Sequence, residues 1–131
     1  MIQPANLKTT VLDFTLMQIT AVAFEKASNT IYYAQSNGKI KAVKDVYGKR
    51  PNKMIFNVKK PTALDIESCF GYLFIADSGS RSIIRYDTRH NISFTVVDGL
   101  SLPNALTVDK LTEKLFWADT TTDSYVYKYN F

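Results

Sequence analysis

Two carboxylates close matching apolar words. Asp77 ends Tyr72-Leu73-Phe74-Ile75-Ala76-Asp77, and Asp119 ends Lys114-Leu115-Phe116-Trp117-Ala118-Asp119. A pair of acids can run general acid–base chemistry when their surroundings push their pKa values apart. Such a dyad needs a nucleophile or base beside it, yet no His, Cys or Lys stands at a matching position of the two words. The single histidine, His90, lies in the polar run Arg89-His90-Asn91, where a solvent-facing ring is expected. The single cysteine, Cys69, excludes a disulfide scaffold. It is expected as a buried thiol or as the partner of a cysteine outside this chain. His-Glu-x-x-His and paired-cysteine spacings are absent, so no metal or other cofactor is expected. Asn91-Ile92-Ser93 is an N-glycosylation sequon in a polar loop.

The two aspartates are 42 residues apart (119 − 77), and a further 42 back Gln35 closes Thr30-Ile31-Tyr32-Tyr33-Ala34-Gln35. The same register aligns Ala21, Ala63 and Ala105, then Phe24, Ile66 and Val108, then the acids Glu25, Glu67 and Asp109. It also aligns the aromatics Tyr32, Phe74 and Phe116. Such self-similarity is the mark of a repeat architecture. Asp77 and Asp119 then read as equivalent structural positions of neighbouring units rather than as one catalytic pair.

Each unit holds four short apolar runs. In the middle unit they cover 63–66, 73–77, 82–86 and 94–97, separated by turn residues. No window has helical periodicity, so an all-β chain without a helix beyond about two turns is expected. Four strands in roughly 40 residues is the size of a β-propeller blade. In 73–77 both faces are apolar, Leu73 and Ile75 on one and Phe74 and Ala76 on the other, so sheets must cover both sides. Trp117, Phe74 and Tyr32 are expected inside that stack. The alanine-led first strands suit the crowded centre of a ring, and 40–44 reads as a wetter rim strand.

The hydrophobic share of 46% and the 13% aromatics favour a packed domain over a disordered one. No run approaches the ~18 apolar residues of a membrane span, and the first residues lack a signal-peptide pattern. The segment is expected to make no membrane contact. Net charge is +4. The cations Lys39, Lys41, Lys44, Lys49, Arg50, Lys53, Lys59 and Lys60 are opposed within 39–60 only by Asp45. That run reads as a solvated face or as a surface that steers acidic ligands or glycosaminoglycans. Nucleic acid is not expected, since no matching fold signature accompanies the charge.

At these words the chain resembles the YWTD repeat of the low-density lipoprotein receptor class B family. Pro103-Asn104-Ala105-Leu106-Thr107-Val108-Asp109 followed by Leu115-Phe116-Trp117-Ala118-Asp119 carries the likeness best. Pro61 to Glu67, Leu73 to Asp77 and Ile83-Ile84-Arg85 repeat it, and Tyr32-Tyr33-Ala34-Gln35 is its weakest copy. Alanine stands where the family has threonine in each motif, and Gln35 replaces its aspartate. The run from Ala76 to Asp87 also resembles an NHL repeat, another propeller blade.

The YWTD resemblance implies a partial six-bladed propeller over residues 1–131. It would comprise the last strand of a preceding blade (7–14), blades at 18–59 and 60–101, and a blade lacking its last strand (102–131). Tyr32, Tyr33, Phe74, Asp77, Phe116, Trp117 and Asp119 become structural motif positions. The implied function is non-catalytic binding of an extracellular protein, often with endocytic uptake, in a receptor ectodomain or matrix protein where propellers alternate with EGF-like modules. Lys39, Arg81 and Asp123, in loops at one end, are the candidate ligand contacts, and Asn91 the candidate glycan site. A lactonase-like propeller with a metal-assisted hydrolase activity is the alternative, with Asn104 and Asp65 near the inner strands. Three blades cannot close a ring, so the chain is expected to be a fragment or to dimerise, 7–14 pairing with 125–129 of a second copy.

Overall fold

The computed structural model describes residues 11, 16–44, 51–120 and 124–131. The expected strand at 7–14 lies outside the described residues apart from Val11. Every regular element among the described residues is a strand. Sheet one runs β1 (Ile19–Glu25), β2 (Thr30–Gln35), β3 (Lys39–Val43) and β4 (Lys53–Asn57). Sheet two runs β5 (Pro61–Glu67), β6 (Tyr72–Asp77), β7 (Ser82–Asp87) and β8 (Ile92–Val97). Sheet three has β9 (Pro103–Asp109), β10 (Lys114–Thr120) and β11 (Ser124–Asn130) in that spatial order. All pairings are antiparallel between strands consecutive in the chain. The first strands converge, β5 lying between β1 and β9. These are consecutive propeller blades, as the spacing and the two-sided apolar strands require.

Three devices repeat with the period. A β-bulge sets off Thr20, Thr62 and Asn104, just before the alanine of each inner strand. The residue before each second strand is left-handed: Asn29 at φ 51°, Gly71 at 75° and Glu113 at 53°. The acid that ends each inner strand caps the turn that follows. Glu67 accepts the N–H groups of Cys69 and Phe70 at 2.8 and 2.9 Å. Glu25 accepts the Ser28 hydroxyl, and Asp109 accepts the Leu111 N–H and the Thr112 hydroxyl. The carboxylate supplies the acceptor that a four-residue turn lacks.

The third strands depart from the period. Tyr32 pairs with Ala42, Phe74 with Arg85 and Phe116 with Lys128, so the offset grows from 10 to 11 to 12 residues (42 − 32, 85 − 74, 128 − 116). The hairpin between second and third strands absorbs the extra residue, which would otherwise turn each third strand over. The reading of 40–44 as a rim strand is corrected. β3 is interior, with Ile40, Ala42 and Val43 buried, and the wet strands are the fourth ones, β4 and β8.

The core lies between sheets. Tyr32, Ala34, Ile40 and Ala42 of sheet one meet Leu64, Ile66, Leu73 and Ile75 of sheet two. Phe74 and Ile83, on the other side of sheet two, meet Leu115 and Trp117. Phe74 is fully buried and Tyr32 and Trp117 nearly so, as expected from the sequence. Burial on the outer side of sheet one is uneven: Tyr33 and Val43 are buried there. Ile66 is 1% exposed, while Phe24, its counterpart on the outer side of sheet one, is 43% exposed.

Candidate functional site

Asp77 is held by four donors. Its Oδ1 accepts the N–H groups of Lys60 and Gly79 at 2.7 and 2.9 Å. Its Oδ2 accepts the Lys59 N–H at 3.1 Å and the Ser80 hydroxyl at 2.9 Å. Burial works against the charged form. The donors of Lys60, Lys59, Ser80 and Gly79 outweigh it and hold the carboxyl below the usual carboxylate range. Asp119 repeats the clamp one blade on, accepting the N–H groups of Ser101 and Leu102 at 3.1 and 2.6 Å. Each aspartate thus fastens the connection entering its own sheet to that sheet's second strand. A carboxylate with two donors on each oxygen is held ionised and engaged, which does not suit a general acid or base.

Side chains also bind blade to blade. The Thr62 hydroxyl donates to the Pro103 carbonyl at 2.7 Å. Asp65 Oδ2 accepts the Val108 N–H at 2.8 Å, while its Oδ1 accepts the Ile66 N–H at 2.9 Å. Asn104 Nδ2 donates to the Thr120 hydroxyl at 3.0 Å. Asp65 and Asn104, the candidates for a metal-assisted site, are engaged separately, and no group of three His, Cys, Asp or Glu is poised for a metal among the described residues. The repeat drew attention to the acids but gave no role to Thr62 or Asp65. The available signal was a lone carboxylate inside an apolar inner strand.

The predicted ligand contacts divide. Lys39 and Arg81 are exposed at the end formed by the β2–β3 and β6–β7 hairpins. They are not equivalents: because of the offset, Lys39 matches Ser82, and Arg81 at φ 56° matches Gly38 at 94°. Asp123 lies outside the described residues. Tyr33 is buried, and Phe116 is half-buried on the outer side of sheet three. Cys69 is exposed in the β5–β6 turn, which overturns the buried-thiol expectation. A hydrogen bond to Glu67, and that carboxylate's charge, push its thiol pKa up, so the thiolate nucleophile is disfavoured. Asn91 is exposed in the β7–β8 turn and its Oδ1 accepts the Tyr86 hydroxyl at 2.6 Å. His90 Nδ1 rests 2.8 Å from Asp87, also at the surface.

A cleft opens at the opposite end from Lys39 and Arg81. Its volume is about 930 Å³, and it lies between sheets one and two, lined by the β1–β2, β5–β6 and β7–β8 turns and by Lys44 and Lys53. Lys44 and Lys53 stand on one wall and Arg89 and Asn91 on the other. Tyr32 is part of the lining, with Glu25 and Thr88 near its hydroxyl. Burial, with the Glu25 charge second, pushes its pKa up to about 12, so it stays a neutral phenol.

Blades of this geometry define the class: the chain is a set of β-propeller blades. No protein-family model matches it. It is similar to a chain of the crystal structure of a nidogen/laminin complex, with a TM-score of 0.81 and 17% identity over 87% of this chain and 44% of that one. It is also similar to a luciferin-regenerating enzyme (TM-score 0.67, 14% identity, 84% of this chain and 44% of that one). A third likeness is to hydrazine synthase of Kuenenia stuttgartiensis (0.72, 17%, 86% and 34%). At these identities the likeness concerns the fold, which binding proteins and enzymes share. The chain spans less than half the length of each of these structures. No helix among the described residues is long and apolar enough to cross a membrane.

Proposed function

We propose that the chain is a protein-binding, non-catalytic segment of a six-bladed YWTD-type propeller in an extracellular matrix protein or receptor. The engagement of Asp77, by four donors, supports this most. The repeated carboxylate that could have done chemistry holds the blade together instead. The likeness to a chain of a nidogen/laminin complex supports a protein ligand. Loops at the ends of blades are where such a scaffold can vary without disturbing its core. Lys39 and Arg81 would contact the ligand at one end, and Asp123 is the third proposed contact. Asn91 would carry a glycan at the other. In the parent chain the remaining blades, or a second copy, would close the ring, with EGF-like modules alongside.

The test is equilibrium binding of the immobilised chain to a panel of extracellular proteins that includes laminin. The expected result is saturable binding to a panel member, weakened at least about tenfold by Lys39→Glu with Arg81→Glu. Binding that is indifferent to both reversals would remove the assigned surface. Turnover of esters or lactones by the chain, without binding, would replace the reading with that of a hydrolase.

A further inference from the structure

We propose that the cleft between sheets one and two is a binding site for an anionic oligosaccharide, one carrying sulfate or uronate groups. It is independent of the protein-binding end, lying at the opposite pole of the blades. Three observations carry it. First, the charge is one-sided. Among the described residues Lys44, Lys53 and Arg89 line the cleft against one acid, Glu25, whose carboxylate already accepts the Ser28 hydroxyl. Second, the Arg89 guanidinium is prepositioned. Its Nη1 and Nη2 donate to the carbonyls of Cys69 and Ser68 at 2.9 and 2.8 Å. Arg89 also packs over Gly71, where a Cβ would come within 3.0 Å of its Nε. Guanidinium has five N–H donors, so this anchor leaves others for a ligand. Third, the cleft floor combines polar hydroxyls with rings. Phe56 stacks on Tyr86 at 4.8 Å between centroids, and Thr88 stands beside them.

Rings and hydroxyls together match the apolar faces and hydroxyls of a sugar. An acidic peptide would engage the cations but has no use for that lining. The volume of about 930 Å³ falls at the upper end of ordinary ligand cavities, roughly 300–1,000 Å³. Cations on both walls, Lys44 and Lys53 facing Arg89, suit a ligand that carries its negative groups at intervals along a chain. The positive run in the sequence is therefore split by the fold: Lys44 and Lys53 serve the cleft, while Lys39 is at the other end.

The test is titration calorimetry with a heparin hexasaccharide, using chain produced without glycosylation so that Asn91 is bare. Lys44→Glu with Lys53→Glu should weaken binding at least about tenfold. Lys59→Glu with Lys60→Glu, exposed away from the cleft and equal in charge change, should leave it within about twofold. Added salt should weaken the wild-type interaction as ion pairs are screened. Equal weakening by both pairs would overturn the site in favour of diffuse net-charge attraction. A polyglutamate peptide binding as tightly as the saccharide would overturn the ligand class, and absence of saccharide binding would overturn the proposal.

Discussion

A residue in this chain is defined by which backbone groups it satisfies. Asp77 shows the consequence for stability. In the unfolded chain a carboxyl titrates near ~3.9, and in the folded chain its pKa lies lower. The stabilisation is therefore complete above the unfolded value and is lost as pH falls through the folded one. Asp77→Asn should cost about 1–3 kcal/mol at neutral pH. Its urea midpoint should also fall less on acidification than the wild type's. Equal acid sensitivity in both proteins would show that other groups set it. Glu113 is the opposite case. It holds φ 53° where the neighbouring blade has Gly71, a conformation that disfavours side chains. Glu113→Gly should stabilise the chain by roughly 0.5–1 kcal/mol in thermal or urea unfolding, and a loss of stability would mean that the Glu113 side chain matters more than its backbone.

At the scale of elements, two-sided burial decides the cost of a substitution. Trp117 is stacked on Tyr127 and nearly buried, yet its indole N–H has no hydrogen-bond partner among the described residues. Trp117→Ala should cost about 3–5 kcal/mol in denaturant unfolding. Trp117→Phe should cost far less, because it removes an unsatisfied donor along with some area. Similar losses from both would show that the indole makes a contact beyond packing. The strands and their two faces were legible because alternation and the 42-residue period are written in side chains: Leu73 and Ile75 against Phe74 and Ala76. The alanine at the start of each inner strand was visible too, but the bulge just before it was not, since a bulge is a backbone event with no residue type of its own. The third-strand offset was hidden for the same reason, and it misassigned β3 to the rim. Three of the four partners of Asp77 were illegible because they are backbone N–H groups, which every residue but proline carries. The cleft was illegible because its walls come from turns of two sheets, joined only by the fold.

At the scale of the molecule, consecutive blades share faces, and parts of the outermost faces stay exposed, although Tyr33 and Val43 on the outer side of sheet one are buried. Val22 and Phe24 on sheet one are 59% and 43% exposed, and Val126 on sheet three is 79% exposed. Exposed apolar sheet faces and edges favour association. We expect the isolated chain to pair, the outer side of sheet three of one copy covering sheet one of another, twice, as two-fold symmetry allows. The central claim, that a blade needs a neighbour on each side, is tested most directly by sedimentation equilibrium of the 131-residue chain beside its Phe116→Glu variant. Wild type should be dimeric at tens of micromolar and the variant monomeric with unchanged circular dichroism. A wild type that stays monomeric there, indistinguishable from the variant, would contradict it.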